Sequence, residues 1–341
     1  MSAGWISEGE MGHGMNRSSC SESMQSPGRP HVAVIIPCHD EEATIAKVVA
    51  DFSAALPHAA IHVFDNNSSD RTSAVAHGAG ARVHQVRLQG KGNVVRRGFA
   101  DLDADIYVLV DGDDTYDASA APGLIQQLID GPLDMVVGAR AADDQAAYRS
   151  GHRMGNRLLT GFAGLLFGSR FDDLLSGYRV FSRRYVKSFA AHSAGFEIET
   201  ELAMHALQLR MPVAEVPTRY GARPQGSHSK LSTWRDGWRI LMTMLRLFKE
   251  ERPLAFFGIG FLACTLVSLG LAWPLFETYA STGLVPRLPT AVLCATLVLL
   301  GVLLLGCGLI LDTVTRGRIE AKHLRYLSMS TARQMDAESG Q

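Results

Sequence analysis

Two aspartates one residue apart, in Asp111-Gly112-Asp113-Asp114-Thr115, follow the apolar run Ile106–Val110. Carboxylates at that spacing can share one hard divalent cation, and Mg2+ or Mn2+ favours carboxylates together with phosphate oxygens and water. Such an ion bridges a diphosphate and offsets its charge as it departs. The same residues also suit an acidic turn with a helix cap, because aspartate commonly fills turns. The cation reading gains from its neighbours, since two more apolar runs end in acidic segments, Pro37-Cys38-His39-Asp40-Glu41-Glu42 and Asp65-Asn66-Asn67-Ser68-Ser69-Asp70. Gly90-Lys91-Gly92 adds a cation that can approach a phosphate or simply belong to a turn before a helix. Arg140, Arg153 and Arg157 suit solvated loop or helix charges. Glu197, Glu199 and Glu201 suit a solvated or interface face, with a place in the site as the alternative.

Positioning these groups takes a sheet. Short β-branched runs at Val32–Ile36, Ile61–Phe64, Ala81–Val86, Ile106–Val110 and Met135–Val137 alternate with helical patterns near Glu42–Ala55, Arg71–His77, Asn93–Asp101 and Ser119–Ile129. Strand and helix alternating at this spacing predict an α/β, doubly wound, Rossmann-like parallel sheet. Strands that are apolar throughout fit burial on both faces. In open sheets of this kind ligands sit beyond the carboxyl ends of the strands, where the three acidic segments fall. Beyond Gly138 the pattern predicts a helix over His152–Phe167, another over Glu197–Leu209, a strand at Val213–Pro217 and a mobile loop at Gly221–Ser229.

Downstream the chemistry changes from water to lipid. Trp234, Trp238, Leu241, Leu245 and Phe248 share one helical face, flanked by Arg235, Arg239, Arg246 and Lys249. That pattern suits a basic amphipathic helix in a membrane interface, or one packed on the catalytic domain. Leu254–Leu275 and Thr290–Leu311 each hold 22 residues without a charge, enough to cross a bilayer core. Arg246, Lys249 and Arg252 precede the pair, Arg316, Arg318, Lys322 and Arg325 follow it, and Arg287 alone lies between. The positive-inside rule then predicts an integral membrane protein with both termini and the catalytic domain cytoplasmic. Five segments result: a disordered tail over 1–30 with no secretory h-region, a catalytic domain over 31–232, the interfacial helix over 233–252, a two-helix transmembrane hairpin over 253–312 and a cytoplasmic tail over 313–341. The hairpin also offers a surface for homo-oligomers.

Composition removes other classes. With 33 Lys and Arg against 34 Asp and Glu, nothing points to nucleic acid as a partner. Five cysteines without a CxxC pair give no disulfide framework or zinc site. No GxGxxG follows the first strand and no GxxxxGK[ST] occurs, which argues against a dinucleotide fold and a P-loop.

From His31 to Leu311 the chain resembles family 2 glycosyltransferases with the GT-A fold, in the polyprenol-phosphate, dolichol-phosphate mannose synthase-like branch. Val34-Ile35-Ile36-Pro37-Cys38-His39-Asp40-Glu41-Glu42 resembles that family's opening strand and loop, Asp111 and Asp113 its D-x-D pair, and Asp173-Leu174-Leu175-Ser176-Gly177-Tyr178-Arg179 its D-x-x-S-G-[FY]-R run. Gly226, Ser229 and Lys230 are similar to its G-x-S-K loop, with Arg223 just upstream. The resemblance implies a GT-A fold with a mixed, mainly parallel sheet and a metal-dependent transfer from a nucleotide-sugar donor, UDP- or GDP-linked, to a polyprenyl phosphate. It implies donor contacts from Pro37, His39, Glu41, Lys91 and Asp111, and base reading by Asp65. It places Mg2+ or Mn2+ on Asp111 and Asp113, catalytic roles on Asp113, Asp173 and Arg179, and acceptor-phosphate contacts on Arg179, Arg223, Ser229 and Lys230. Arg179 could instead form a structural ion pair with Asp173. A single displacement predicts inversion at the anomeric carbon. Transfer to a soluble or growing polysaccharide acceptor is a second reading, although no Q-x-x-R-W run occurs. A nonenzymatic nucleotide-sugar sensor at the membrane is the third.

Overall fold

The computed structural model describes residues 30–141, 161, 164, 173–190, 195, 197–221, 242 and 245–330. The expected N-terminal tail (apart from residue 30), most of the 152–167 helix, all but the first residue of the 221–229 loop, most of the amphipathic helix and residues 331–341 lie outside them.

Strand β1 (Val32–Cys38) pairs in parallel with β2 (Ala60–Asp65) on one side and β4 (Ile106–Leu109) on the other, and β3 (Arg82–Gln85) extends the sheet beyond β2. The register sets Cys38 beside Asp65, so these strands finish along one edge. Alternate residues face opposite layers. Ala33 and Ile35 join the core under α3 (Lys91–Asp101), while Val34, Ile36 and Cys38 join the core under α1 (Ile45–Ala55), α2 (Thr72–Gly78) and α4 (Ala121–Asp130). Helix α1 buries Ile45, Val48, Val49 and Phe52. At roughly 1.5–3 kcal/mol for each large apolar side chain removed from water, that single stripe suffices to seat the helix on the sheet.

The far half of the sheet departs from the expected parallel winding. β5 (Met135–Arg140) does not pair with β4. Between them lies β6 (Arg179–Ser182), antiparallel to both, and β7 (Val213–Thr218) then pairs in parallel with β5. The order is β3-β2-β1-β4-β6-β5-β7, a mixed, mainly parallel sheet of GT-A type. Helices α5 (Arg183–Ser188) and α6 (Ile198–Gln208) cover the α3 face. Because β5 runs in the same direction as β4, its last residue, Arg140, lies at the edge where β1, β2 and β4 end, and Asp134, just before it, lies at the opposite edge.

The two apolar segments fall within α7 (Pro253–Thr282) and α8 (Leu288–Leu327), both long and apolar enough to cross a membrane. Their apolar windows are only 6% and 17% buried, unlike the core helix of a soluble domain. Ser268 donates across the pair to the Cys294 carbonyl at 2.9 Å.

The tail expected from residue 313 is helical and docked as far as Leu327. At 1.5 Å per residue the 40 residues of α8 reach about 60 Å, twice a bilayer core. Thr315, Ile319, Lys322 and Tyr326, spaced four, three and four apart, form one face of α8, of which Thr315 meets Glu250 and the other three meet the sheet and its covering helices. Thr315 donates to the Glu250 carbonyl at 3.3 Å, Lys322 to Gln208 Oε1 at 3.2 Å and Tyr326 to Asp134 Oδ2 at 2.7 Å. Ile319 and Tyr326 pack against the core under α6. The apolar hairpin and the sheet are thus joined through one unbroken helix.

Candidate active site

The loops after β1 and β2 are stitched together by their own polar groups. Asp40, held at φ 53°, accepts from Ser69 N at 2.6 Å, and its N–H donates to Ser68 Oγ at 3.0 Å. Glu41 N–H donates to Thr72 Oγ1 at 2.9 Å, and Glu42 accepts from the Arg71 backbone at 3.0 Å and side chain at 2.8 Å. His39 reaches Gln89 at 3.3 Å across the same mouth, and Pro37, the last residue but one of β1, lies beside Phe64. Asp65 accepts from Ser68 N at 2.9 Å, Gln85 at 3.2 Å and Ser73 Oγ. Burial alone would push its carboxyl up, but these hydrogen bonds outweigh burial and hold it below the ordinary range. Asn66 donates to the Val86 and Leu88 carbonyls at 2.9 and 2.8 Å and accepts from Gly90 N at 2.5 Å, which sets the entry to α3.

Asp111 and Asp113 emerge where β4 ends. Asp113 is 6% exposed and accepts from Thr115 Oγ1 at 2.5 Å. Asp111 remains partly open, and a Cβ at Gly177 would lie 2.9 Å from its carboxyl carbon, so the backbone of the Ser176-Gly177 turn needs glycine to pass it. Among the described residues no three His, Cys, Asp or Glu side chains form a closed metal cage. Two oxygen-donor aspartates with one open side fit an ion that takes its other ligands from phosphate and water.

Lys91 corrects an expectation. Its ammonium is not free to meet a donor phosphate: it is enclosed between Asp111 and Glu199, 2.6 Å from Glu199 Oε1. Burial would lower its pKa, yet the two carboxylates outweigh burial and hold it well above the ordinary lysine value. Glu199, read from sequence as an exposed face with the site as alternative, is buried in the first turn of α6.

Arg179 is the second correction. It is 1% exposed, and its guanidinium donates to the Ser176 carbonyl at 3.0 Å and the Leu174 carbonyl at 2.6 Å. That enclosure, on the α3 face of β6, leaves no edge for a lipid phosphate or a reacting atom. Nor does it pair with Asp173. Asp173 accepts instead from Arg140, which donates through Nε and Nη2 at 2.6 Å each and through its backbone N–H at 3.2 Å. Burial would raise the Asp173 carboxyl, but Arg140 outweighs it and keeps the group ionised. Arg140 also lies over the Tyr220 ring, 5.5 Å from its centroid. Its position at the end of an apolar strand was the only sequence signal for this role. The Tyr116 hydroxyl accepts from Gly177 N at 2.8 Å and ties the D-x-D turn to the Asp173–Arg179 segment. A groove of about 690 Å³ opens past that turn, lined by Lys47, Asp114, Thr115, Tyr116 and Arg219 among others. Arg223, Ser229 and Lys230 lie outside the described residues.

The sequence profile of glycosyl transferase family 2 matches residues 33–189. Glycosyltransferase AglJ of Haloferax volcanii is 37% identical over 71% of this chain and 80% of its own length. The dolichyl-phosphate hexose transferase of the same organism is 28% identical over 65% of this chain and 95% of its own. Among solved structures, glucosyl-3-phosphoglycerate synthase from Mycobacterium tuberculosis, in complex with Mn2+, UDP-glucose and phosphoglyceric acid, superposes with a TM-score of 0.53 at 23% identity, covering 64% of this chain and 79% of that one. That likeness concerns the fold.

Proposed function

The chain belongs to glycosyltransferase family 2, and from that premise we propose that it moves a hexose from a UDP- or GDP-linked donor to a polyprenyl phosphate at the cytoplasmic face of a membrane, with inversion. The observation that carries this reading is the combination, in one chain, of an Asp111/Asp113 pair at the ligand edge of the sheet with two exposed apolar helices, the second of which docks on the sheet's layer. The dolichyl-phosphate hexose transferase among its relatives supports the lipid acceptor. The Mn2+ and UDP-glucose held by the synthase of like fold support the donor class and the cation.

Asp111 and Asp113 would hold Mg2+ or Mn2+, which when bound offsets the negative charge of a departing diphosphate. The loops after β1 and β2, with Pro37, His39, Glu41 and an ionised Asp65, form the wall nearest a nucleotide. Asp173 acts through Arg140, holding its guanidinium at the rim. A phosphomonoester with a second pKa of about 6 is already mostly dianionic at neutral pH. The site therefore needs cations that bring two anions together more than it needs a strong base. Arg140, and by resemblance Arg223, Ser229 and Lys230, are assigned to that work.

The detergent-purified full chain, given a panel of radiolabelled nucleotide sugars and a polyprenyl phosphate, should label the lipid extract with one of them. EDTA should abolish the label and Mg2+ or Mn2+ restore it. A lipid fraction left unlabelled by every donor, with sugar passing instead to a soluble acceptor, would replace the lipid reading. Topology has its own check. Ser281→Cys in a cysteine-free background, near the turn between α7 and α8, should react with an impermeant maleimide from outside intact cells, whereas Ser328→Cys should react only after permeabilisation.

A further inference from the structure

Lys91 is the first residue of α3 and Glu199 the second of α6, so two helices on the same face of the sheet meet beside Asp111, Lys91 reaching Asp111 and Glu199 reaching Lys91. Both side chains are 8% exposed. Lys91 holds one oxygen of Asp111 and one of Glu199. The other oxygen of Glu199, Oε2, is buried and takes no hydrogen bond among the described residues. A charged oxygen left so is costly, and its persistence calls for a reason beyond packing.

Charge balance supplies one. Lys91 is shared between the carboxylates of Asp111 and Glu199, and Arg179 lies within electrostatic reach of Glu199. Without Glu199, Lys91 would have Asp111 as its one anionic partner among the described residues. A divalent ion arriving at Asp111 would then have to displace a buried ammonium with no other counter-charge. With Glu199 present, the lysine keeps an anion when Asp111 turns to the metal.

We propose that Glu199 is a positioning residue for the cation seat: as the second counter-ion of Lys91, it frees Asp111 to bind a divalent ion. This deepens the proposed function and rests on its assignment of the cation to Asp111 and Asp113.

The test reads metal binding directly. Mn2+ alone is titrated into the full chain in detergent and followed by water-proton relaxation. Glu199→Gln, of nearly equal volume, should raise the Mn2+ Kd tenfold or more, and Glu199→Asp, which keeps the charge, should stay within about threefold of the parent. In a Lys91→Met background, where Asp111 has no competing ammonium, adding Glu199→Gln should change the Kd by less than about twofold. An unchanged Kd in Glu199→Gln overturns the proposal. So does a tenfold loss that persists undiminished in the Lys91→Met background, since Glu199 would then act on the metal directly. A parent protein that binds no Mn2+ removes the cation seat itself, a different failure that the variants play no part in. The Lys91→Met, Glu199→Gln double variant replaces a buried ion pair by uncharged groups, so it folds even if Glu199→Gln alone is destabilised.

Discussion

Asp113→Asn should lower sugar transfer to polyprenyl phosphate by two to three orders of magnitude while leaving the unfolding midpoint nearly unchanged. The side chain is 6% exposed, and the hydrogen bond it accepts from Thr115 Oγ1 can be accepted equally by an amide oxygen. Shape and that hydrogen bond therefore survive, and the change removes one negative charge at the mouth of β4. Losing a preorganised electrostatic contact to a group that gains charge in the transition state typically costs about 3–4 kcal/mol, which is that range of rate. Steady-state assays at saturating donor, with Mn2+ varied, separate the two ways this can arise. A weakened cation seat raises the Mn2+ needed for half-maximal rate, whereas a fold defect lowers the amount of active enzyme at every Mn2+ concentration. Transfer near the parent rate at low Mn2+ would remove Asp113 from the cation seat.

Burial on both faces explains why β1, β2, β4 and β5 were legible: each is built on a short, mainly apolar run, and the charged residues fall at or beyond its end. β6 was not legible. It has four residues, begins with an arginine and follows a Ser-Gly turn, so nothing local separates it from a loop. What makes it a strand is the gap between β4 and β5, a tertiary fact. The cations were misread for a related reason. Sequence places Lys91 after a glycine and Arg179 after Ser-Gly-Tyr, but it does not say whether a positive charge is already spent. Lys91 is spent on two carboxylates and Arg179 on two carbonyls, while Arg140, read as a solvated charge, takes the carboxylate assigned to Arg179. The alternation Glu197, Glu199, Glu201 carried the one hint of the buried member, because alternate residues at a helix start cannot all face water.

The opposite edge of the sheet carries the largest expected effect on stability. Asp134 is 0% exposed and accepts from Arg184 Nε at 2.5 Å and Nη2 at 2.8 Å, from Ser182 Oγ at 2.7 Å and from the Tyr326 hydroxyl at 2.7 Å. Asp134→Ala would strand a largely buried guanidinium and two hydroxyls at once. Removing one partner of a buried pair costs about 3–5 kcal/mol, a large share of the ~5–15 kcal/mol that holds a domain folded. Tyr326→Phe deletes a single hydrogen bond, worth about 1–2 kcal/mol, and leaves Arg184 both its carboxylate and the ring it stacks on at 4.7 Å. The order of the two variants is thus fixed by the ion pair rather than by the phenol. Thermal unfolding in detergent should show a drop of roughly 6–20 °C for Asp134→Ala and a few degrees for Tyr326→Phe. Because Asp134 lies across the sheet from Asp111, the surviving folded fraction of Asp134→Ala should keep the parent's KM for the donor. A raised donor KM in that variant would mean that the docked end of α8 and the D-x-D edge are coupled through the sheet, contrary to the separation described here. An unchanged midpoint would mean that the Arg184–Asp134–Tyr326 contact does not hold α8 to the catalytic domain.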